Sequence, residues 1–249
     1  AKTELKVNQF ISDEVTYLKD KRAEVDLQLQ VNSDSLTYKI EKGDLKIEDM
    51  SFNVSGSYIH SDVNFIDIKI KGNNISLTSV FSAFPIKTLS VLDNYSAQGF
   101  VEFHAELKGD WSKNKTPKLK ADFLLSSGSM KERSTLTTLK DIYLDGKFTN
   151  HNIHSTQELL IKNLEAQLGH EKIKGEIKIT DFEQPRIELN VKGKLDVGLM
   201  SKFSKFSRIS FDGTSNLDLM MSGRYSKGKN KFHLKSISGE MEVEQLKID

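Results

Sequence analysis

Val25-Asp26-Leu27-Gln28-Leu29-Gln30-Val31 sets an apolar residue at every odd position and a polar one at every even position. Successive side chains of a strand point to opposite faces, so this stretch predicts a strand with one greasy and one wet side. The same period extends along the chain. It recurs at Val101/Phe103/Ala105/Leu107, at Leu119/Ala121/Phe123/Leu125 and at Ile142/Leu144. Further on it returns at Ile173/Ile177/Ile179, Ile187/Leu189/Val191, Leu195/Val197 and Leu217/Leu219/Met221. A parallel sheet buried on both sides would read as continuous apolar runs, which are scarce here, so the pattern predicts an antiparallel sheet with one solvated face. Turn chemistry punctuates it at Lys42-Gly43-Asp44, Lys71-Gly72-Asn73-Asn74, Gly109-Asp110, Ser127-Gly128-Ser129, Asp145-Gly146 and Lys227-Gly228-Lys229-Asn230. That rhythm suits hairpins and meanders and predicts about fifteen to eighteen strands.

Composition narrows the function classes. The 249 residues carry 36 Lys+Arg against 35 Asp+Glu, a net charge of +1, which gives no basic footprint for nucleic acid. No apolar run approaches the roughly 18–20 residues of a spanning helix, and no secretory signal opens the sequence. With no Cys, disulfides, thiolate metal sites and thiol catalysis are excluded.

Two short stretches switch to a helical period. Leu77, Val80, Phe81 and Phe84 fall at i, i+3, i+4, i+7, and Leu199, Met200, Phe203 and Phe206 nearly repeat that spacing, predicting helices near 76–85 and 198–207. Helices so short are marginal alone and must dock their apolar stripe, most simply on the sheet. They occupy equivalent places in an internal repeat. One copy, approximately 62–150, runs Ile66-Asp-Ile68-Lys-Ile70-Lys-Gly72, helix, then Gly99 to Gly109. The other, 183–249, runs Ile187-Glu-Leu189-Asn-Val191-Lys-Gly193, helix, then Gly213 to Gly223. Phe103, Ala105 and Leu107 stay in phase with Leu217, Leu219 and Met221, and each copy reaches a Gly-x-Met, at Gly128 and Gly239. Stacked repeats tolerate cut ends, so residues 1–249 read as one continuous β-rich piece of a longer, repeat-built protein.

No catalytic motif is present: no nucleophile elbow, Walker loop, dinucleotide fingerprint or His-Glu-x-x-His. The close pair His151 and His154 would point to opposite faces of a strand, so no metal site is expected. Carboxylates such as Asp26, Glu102, Glu106, Glu176 and Glu188 sit on the polar half of alternating strands, where a solvated face explains them. Trp111 has no neighbouring aromatic in sequence and reads as packing over a turn. What remains is the apolar row itself: Ile66, Ile68, Ile70, Val101, Phe103, Ala105, Leu107, Ile187, Leu189, Val191, Leu217, Leu219 and Met221. Alternation leaves two uses open, the sealed core of a sandwich or the lining of an open trough.

The stretch Gly99-Phe-Val-Glu-Phe-His-Ala-Glu-Leu-Lys-Gly109, with Thr116-Pro-Lys-Leu-Lys-Ala-Asp-Phe123, Gly128-Ser-Met130 and Leu139-Lys-Asp-Ile-Tyr-Leu-Asp-Gly-Lys-Phe-Thr-Asn150, resembles the AsmA-like family. So does Gly175-Glu-Ile-Lys-Ile-Thr-Asp-Phe-Glu-Gln-Pro185 continuing to Val197. The likeness is to the C-terminal region of those proteins, over roughly residues 45–249, in a Lys-, Asn- and Ser-rich dialect like that of Bacteroidota. It implies a long curved sheet related to TamB and the bridge-like lipid carriers, whose apolar inner surface holds acyl chains. The thirteen row residues would then face lipid. The expected role is non-enzymatic phospholipid transfer between inner and outer membrane, in the periplasm. It needs no cofactor, and a segment outside this chain would anchor it to the inner membrane. Two other readings stay open: an assembly or chaperone module that offers sheet edges to outer-membrane proteins, and a closed β-sandwich binding domain.

Overall fold

The computed structural model describes residues 2–7, 10–12, 15–17, 21–83, 94–151, 156–204, 211–226 and 231–248. The alternating runs form strands β1 (Lys2–Val7), β2 (Phe10–Ser12), β3 (Val15–Tyr17), β4 (Lys21–Asn32), β5 (Thr37–Ile47), β6 (Met50–Ile59) and β7 (Asn64–Ser76). After helix α1 (Leu77–Ala83) come β8 (Tyr95–Trp111), β9 (Lys118–Glu132), β10 (Thr138–Thr149), β11 (Glu158–Leu168), β12 (Glu171–Thr180) and β13 (Arg186–Asp196). Helix α2 (Val197–Ser204) then leads to β14 (Phe211–Ser226) and β15 (Lys231–Ile248). Thirteen strands form one open antiparallel sheet in the order β1-β4-β5-β6-β7-β8-β9-β10-β11-β12-β13-β14-β15, and β2 and β3 form a separate hairpin. The protein is therefore all-β, as the period of two predicts. A sandwich needs a second sheet of matching extent, and the second sheet among the described residues has only three residues per strand. The closed-sandwich alternative does not hold.

The turn signals fare differently. Gly43, Gly72, Gly109, Gly128 and Gly146 all lie inside strands, and residues 227–230 lie outside the described residues. The chain instead reverses at 33–36, 48–49, 112–115, 133–135 and 169–170. Gly72 shows why: the Phe103 ring from β8 lies across it, and a Cβ there would meet the ring's Cε1 at 2.5 Å. Gly43, Gly72 and Gly128 mark close approach across the ladder rather than chain reversal.

The chain forms two compact units, Ala1–Leu89 with Phe100–Phe123, and Ser90–Gly99 with Leu124–Asp249. Both predicted helices exist, at Leu77–Ala83 and Val197–Ser204. Phe84 and Phe206 lie outside the described residues. In the first unit Val80 of α1 joins a small core of Met50 and Ile75 with Ile47, Phe52 and Phe103 around it. In the second, Asp196 Oδ1 accepts the Leu199 backbone N–H at 2.7 Å and caps α2. Phe203 of that helix stacks on Tyr95, ring centroids 5.1 Å apart, and Leu199 reaches over Gly169. Of the two segments read as repeat copies, 62–150 runs β7-α1-β8-β9-β10 and 183–249 runs β13-α2-β14-β15.

Candidate functional site

Register assembles the candidate site. In an antiparallel ladder directly opposed residues share a face. In the first unit Ile66, Ile68, Ile70 and Gly72 of β7 oppose Gly109, Leu107, Ala105 and Phe103 of β8. On their other flank they oppose Tyr58, Gly56, Val54 and Phe52 of β6. The face continues through Tyr38, Ile40, Gly43, Leu45 and Ile47 of β5 to Val31, Leu29, Leu27, Val25 and Ala23 of β4. In the second unit Ile187, Leu189 and Val191 of β13 oppose Gly223, Met221 and Leu219 of β14, and Leu217 opposes Gly193. Ile173, Ile177 and Ile179 of β12 and Leu159, Ile161, Leu164 and Ala166 of β11 extend that face on one side. Leu234, Ile237, Met241 and Val243 of β15 extend it on the other.

All thirteen row residues are half-buried: none is sealed and none is open to water over most of its surface. That is the exposure of a side chain flanked by strand neighbours with nothing laid across its tip. Only seven apolar side chains among the described residues are buried, including Met50 and Ile75 beside α1. Away from α1 the first unit's face opens out. Leu29, Val31 and Trp111 are 47, 57 and 52 % exposed. An aromatic group gathers there, with Tyr58 centred 6.0 Å from Tyr38 and 6.4 Å from Trp111. Trp111 thus has the aromatic company its sequence neighbours withhold.

Sequence reasoning missed Tyr38, Ile40, Phe52, Val54 and Tyr58 of this face. Phe52, Val54 and Tyr58 alternate along β6 without a slip and were open to the same scan; at Tyr38 and Ile40 the cause is a β-bulge, which slips the alternation by one residue. In β5 the inward set is even at Tyr38 and Ile40, then odd from Gly43, with Glu41 the extra residue against β4. In β7 the slip falls at Asn73-Asn74, where Asn74 takes a φ of 57°, and carries the inward phase from Gly72 to Ile75. In β15 it falls at Lys235, between Leu234 and Ile237. A scan for a change of parity on either side of a polar pair would have found all three.

The opposite faces carry the charge. Lys108 donates to Asp67 Oδ2 at 2.6 Å, Lys174 to Glu165 Oε1 at 2.7 Å, and Lys192 pairs with Asp218 at 3.0 Å. The Asp67 hydrogen bond, with its charge, raises Lys108 above the ordinary lysine range. One carboxylate, Glu132, is buried. Glu132 Oε2 accepts the backbone N–H and the hydroxyl of both Ser134 and Thr135, at 2.6–2.9 Å, and so ties the β9–β10 turn. Among the described residues no group of three or more His, Cys, Asp or Glu is placed to hold a metal, and His154 lies outside them. No helix among them is long and apolar enough to cross a membrane.

No family model matches this sequence, and no curated protein or solved structure is significantly similar to it.

Proposed function

We propose that the apolar faces bind the hydrocarbon chains of lipids, and that the protein is a non-enzymatic lipid carrier. The observation that carries this reading is the uniform half-burial of the row, beside the exposed Leu29 and Val31. A protein whose only task was to fold would gain by covering these side chains. Each CH₂ withdrawn from water contributes about 0.8 kcal/mol, so a sixteen-carbon chain supplies on the order of 10 kcal/mol before ordering costs. Neither face needs a specific polar contact for this, so an acyl chain can slide along the row without full re-exposure. The resemblance to AsmA-like proteins extends the proposal to phospholipid movement between inner and outer membranes, in the periplasm.

Trp111 supplies the test. It is the single tryptophan and lies on the first unit's face, within ring contact of Tyr58. Phospholipid brominated along its acyl chains quenches this fluorescence if hydrocarbon lies on the face, and native mass spectrometry detects lipid co-purified with the chain. Val31→Asp, at an exposed position, should abolish quenching while leaving the fold intact. Absence of quenching with the natural sequence would sink the proposal.

A further inference from the structure

The first unit's apolar face has two unlike ends. At one, α1 lies across it: Val80 packs on Met50 and Ile75, both buried, with Ile47, Phe52 and Phe103 around them. From there along β7 and β8 the inward residues are hydrocarbon or glycine, with Ile70, Ile68 and Ile66 opposite Ala105, Leu107 and Gly109. At the far end the chemistry changes. The next inward pair is Asn64 opposite Trp111, and the Tyr58 ring gathers Trp111, Tyr38 and His60 around it. All five of these residues carry a hydrogen-bonding group, and none is a lysine, an arginine or a carboxylate. They hold one another in place. The Tyr58 hydroxyl lies 3.3 Å from His60 Nδ1, and that nitrogen lies 3.0 Å from Asn64 Oδ1, which also accepts the Ser61 backbone N–H at 3.3 Å. With its oxygen so occupied, Asn64 presents a donor, and the Trp111 indole N–H and the Tyr38 hydroxyl add two more.

Rings with one greasy and one polar part settle where hydrocarbon meets water. A ligand apolar throughout would cover these N–H and O–H groups and leave them without partners, at a cost. We infer that the ligand of this face is an amphiphile held in one direction. Its hydrocarbon lies along the strands toward α1, and the ester and phosphate oxygens of its head accept from Tyr38, Asn64 and Trp111. The inference rests on the lipid reading and adds to it the direction of the ligand and the kind of head. An acceptor-only head suits this end better than a sugar, because Trp111 and Asn64 offer donors alone and sugar hydroxyls also need acceptors. The length fits. From Ala105 to Trp111 the strand runs about 20 Å, and an acyl chain spans roughly 15 Å in half a bilayer. Sliding along the row is then a sideways step from strand to strand, with the head kept at the aromatic end.

The experiment loads phosphatidylcholine onto the full chain and separates the complex from vesicles. The lipid is brominated near its head, at mid-chain or near its methyl end, and Trp111 is the reporter. Quenching should be strongest with bromine near the head and weakest at the methyl end. In the Phe52→Trp, Trp111→Phe variant the reporter lies beside the α1 core, and the order should reverse. If that variant does not fold, the order in the natural chain decides alone. Tyr38→Phe with Asn64→Ala removes two donors, and affinity for the same lipid should fall about tenfold. Quenching equal at all three depths, or strongest at the methyl end, overturns the inference and leaves the lipid reading standing. An order that survives moving the tryptophan, or an unchanged affinity without the two donors, overturns it as well. Quenching lost once vesicles are removed would mean that this end docks on a bilayer surface, which also ends it. No quenching at any depth is the failure of the lipid reading itself, and this inference falls with it.

Discussion

Ile68 and Ile75 lie on one strand, β7, and on one face of it, yet should answer the same truncation differently. Ile75 is 2 % exposed, opposes Val101, and packs with Met50, Val80 and Phe103. Ile68 is half-buried between Gly56 and Leu107. Ile→Ala removes three carbons, worth about 2.4 kcal/mol of transfer when fully buried. At Ile75 a residual cavity adds to this, so the cost should be about 3–4 kcal/mol. At Ile68 about two thirds or more of the transfer is at stake, and water fills the space, so the cost should be about 1.5–2 kcal/mol. The loss of β-branching is common to both and cancels in the difference. Trp111, the only tryptophan, lies in the same unit, so its fluorescence during urea unfolding reports the right transition. A slope of about 2 kcal/mol/M places the two midpoints roughly 1 M apart, with Ile68→Ala the closer of the two to the natural chain. Equal costs, with both near 3–4 kcal/mol, would mean that Ile68 is sealed, and the open-face argument would fall with it.

Gly56 takes a φ of 137°, and a Cβ there would run into the Asp67 carbonyl, whereas one at Gly109, with φ 134°, would come no closer than 3.7 Å to Pro117. Gly56→Ala should therefore lower the urea midpoint well beyond Gly109→Ala, since the second bears only the backbone strain. Glu132→Ala should cost about 1–3 kcal/mol in chemical unfolding, because four donors of the β9–β10 turn lose their acceptor. An unchanged midpoint there would show that the turn holds without it. Asp67→Asn should bring the Lys108 titration, followed by NMR, back down toward the ordinary lysine range. Because the raised value belongs to the folded state, the pair's contribution is present at neutral pH and fades as pH climbs through the Lys108 titration. Variant and natural chain should therefore converge in strong alkali.

The fold class was legible because sheet periodicity is local: Val25 to Val31 and Val101 to Leu107 need no tertiary knowledge to alternate. The helices were legible for the same reason, while the Asp196 cap of α2 emerged only from the structure. The turns were less so. A glycine that lets a ring lie across it, as Gly72 does for Phe103, has the same composition signature as one that reverses the chain. Tyr38 and Ile40 were hidden behind the bulge that interrupts a period-two scan at Glu41, and Ile75 behind the one at Asn73-Asn74, whereas Phe52, Val54 and Tyr58 alternate without interruption and were open to the same scan.

Alternation by itself determined that this chain makes amphipathic strands, because each residue's side is set by its own backbone step. Whether the apolar side is closed or bare was not in that pattern. It depends on what lies across the tips, and a second layer comes from residues distant in the chain. The tertiary structure decided it by running β4 to β15 as one meander, each strand beside its sequence neighbour. That order spends every strand on widening a single sheet, which is why Ile68 and Leu219 are half-buried instead of sealed.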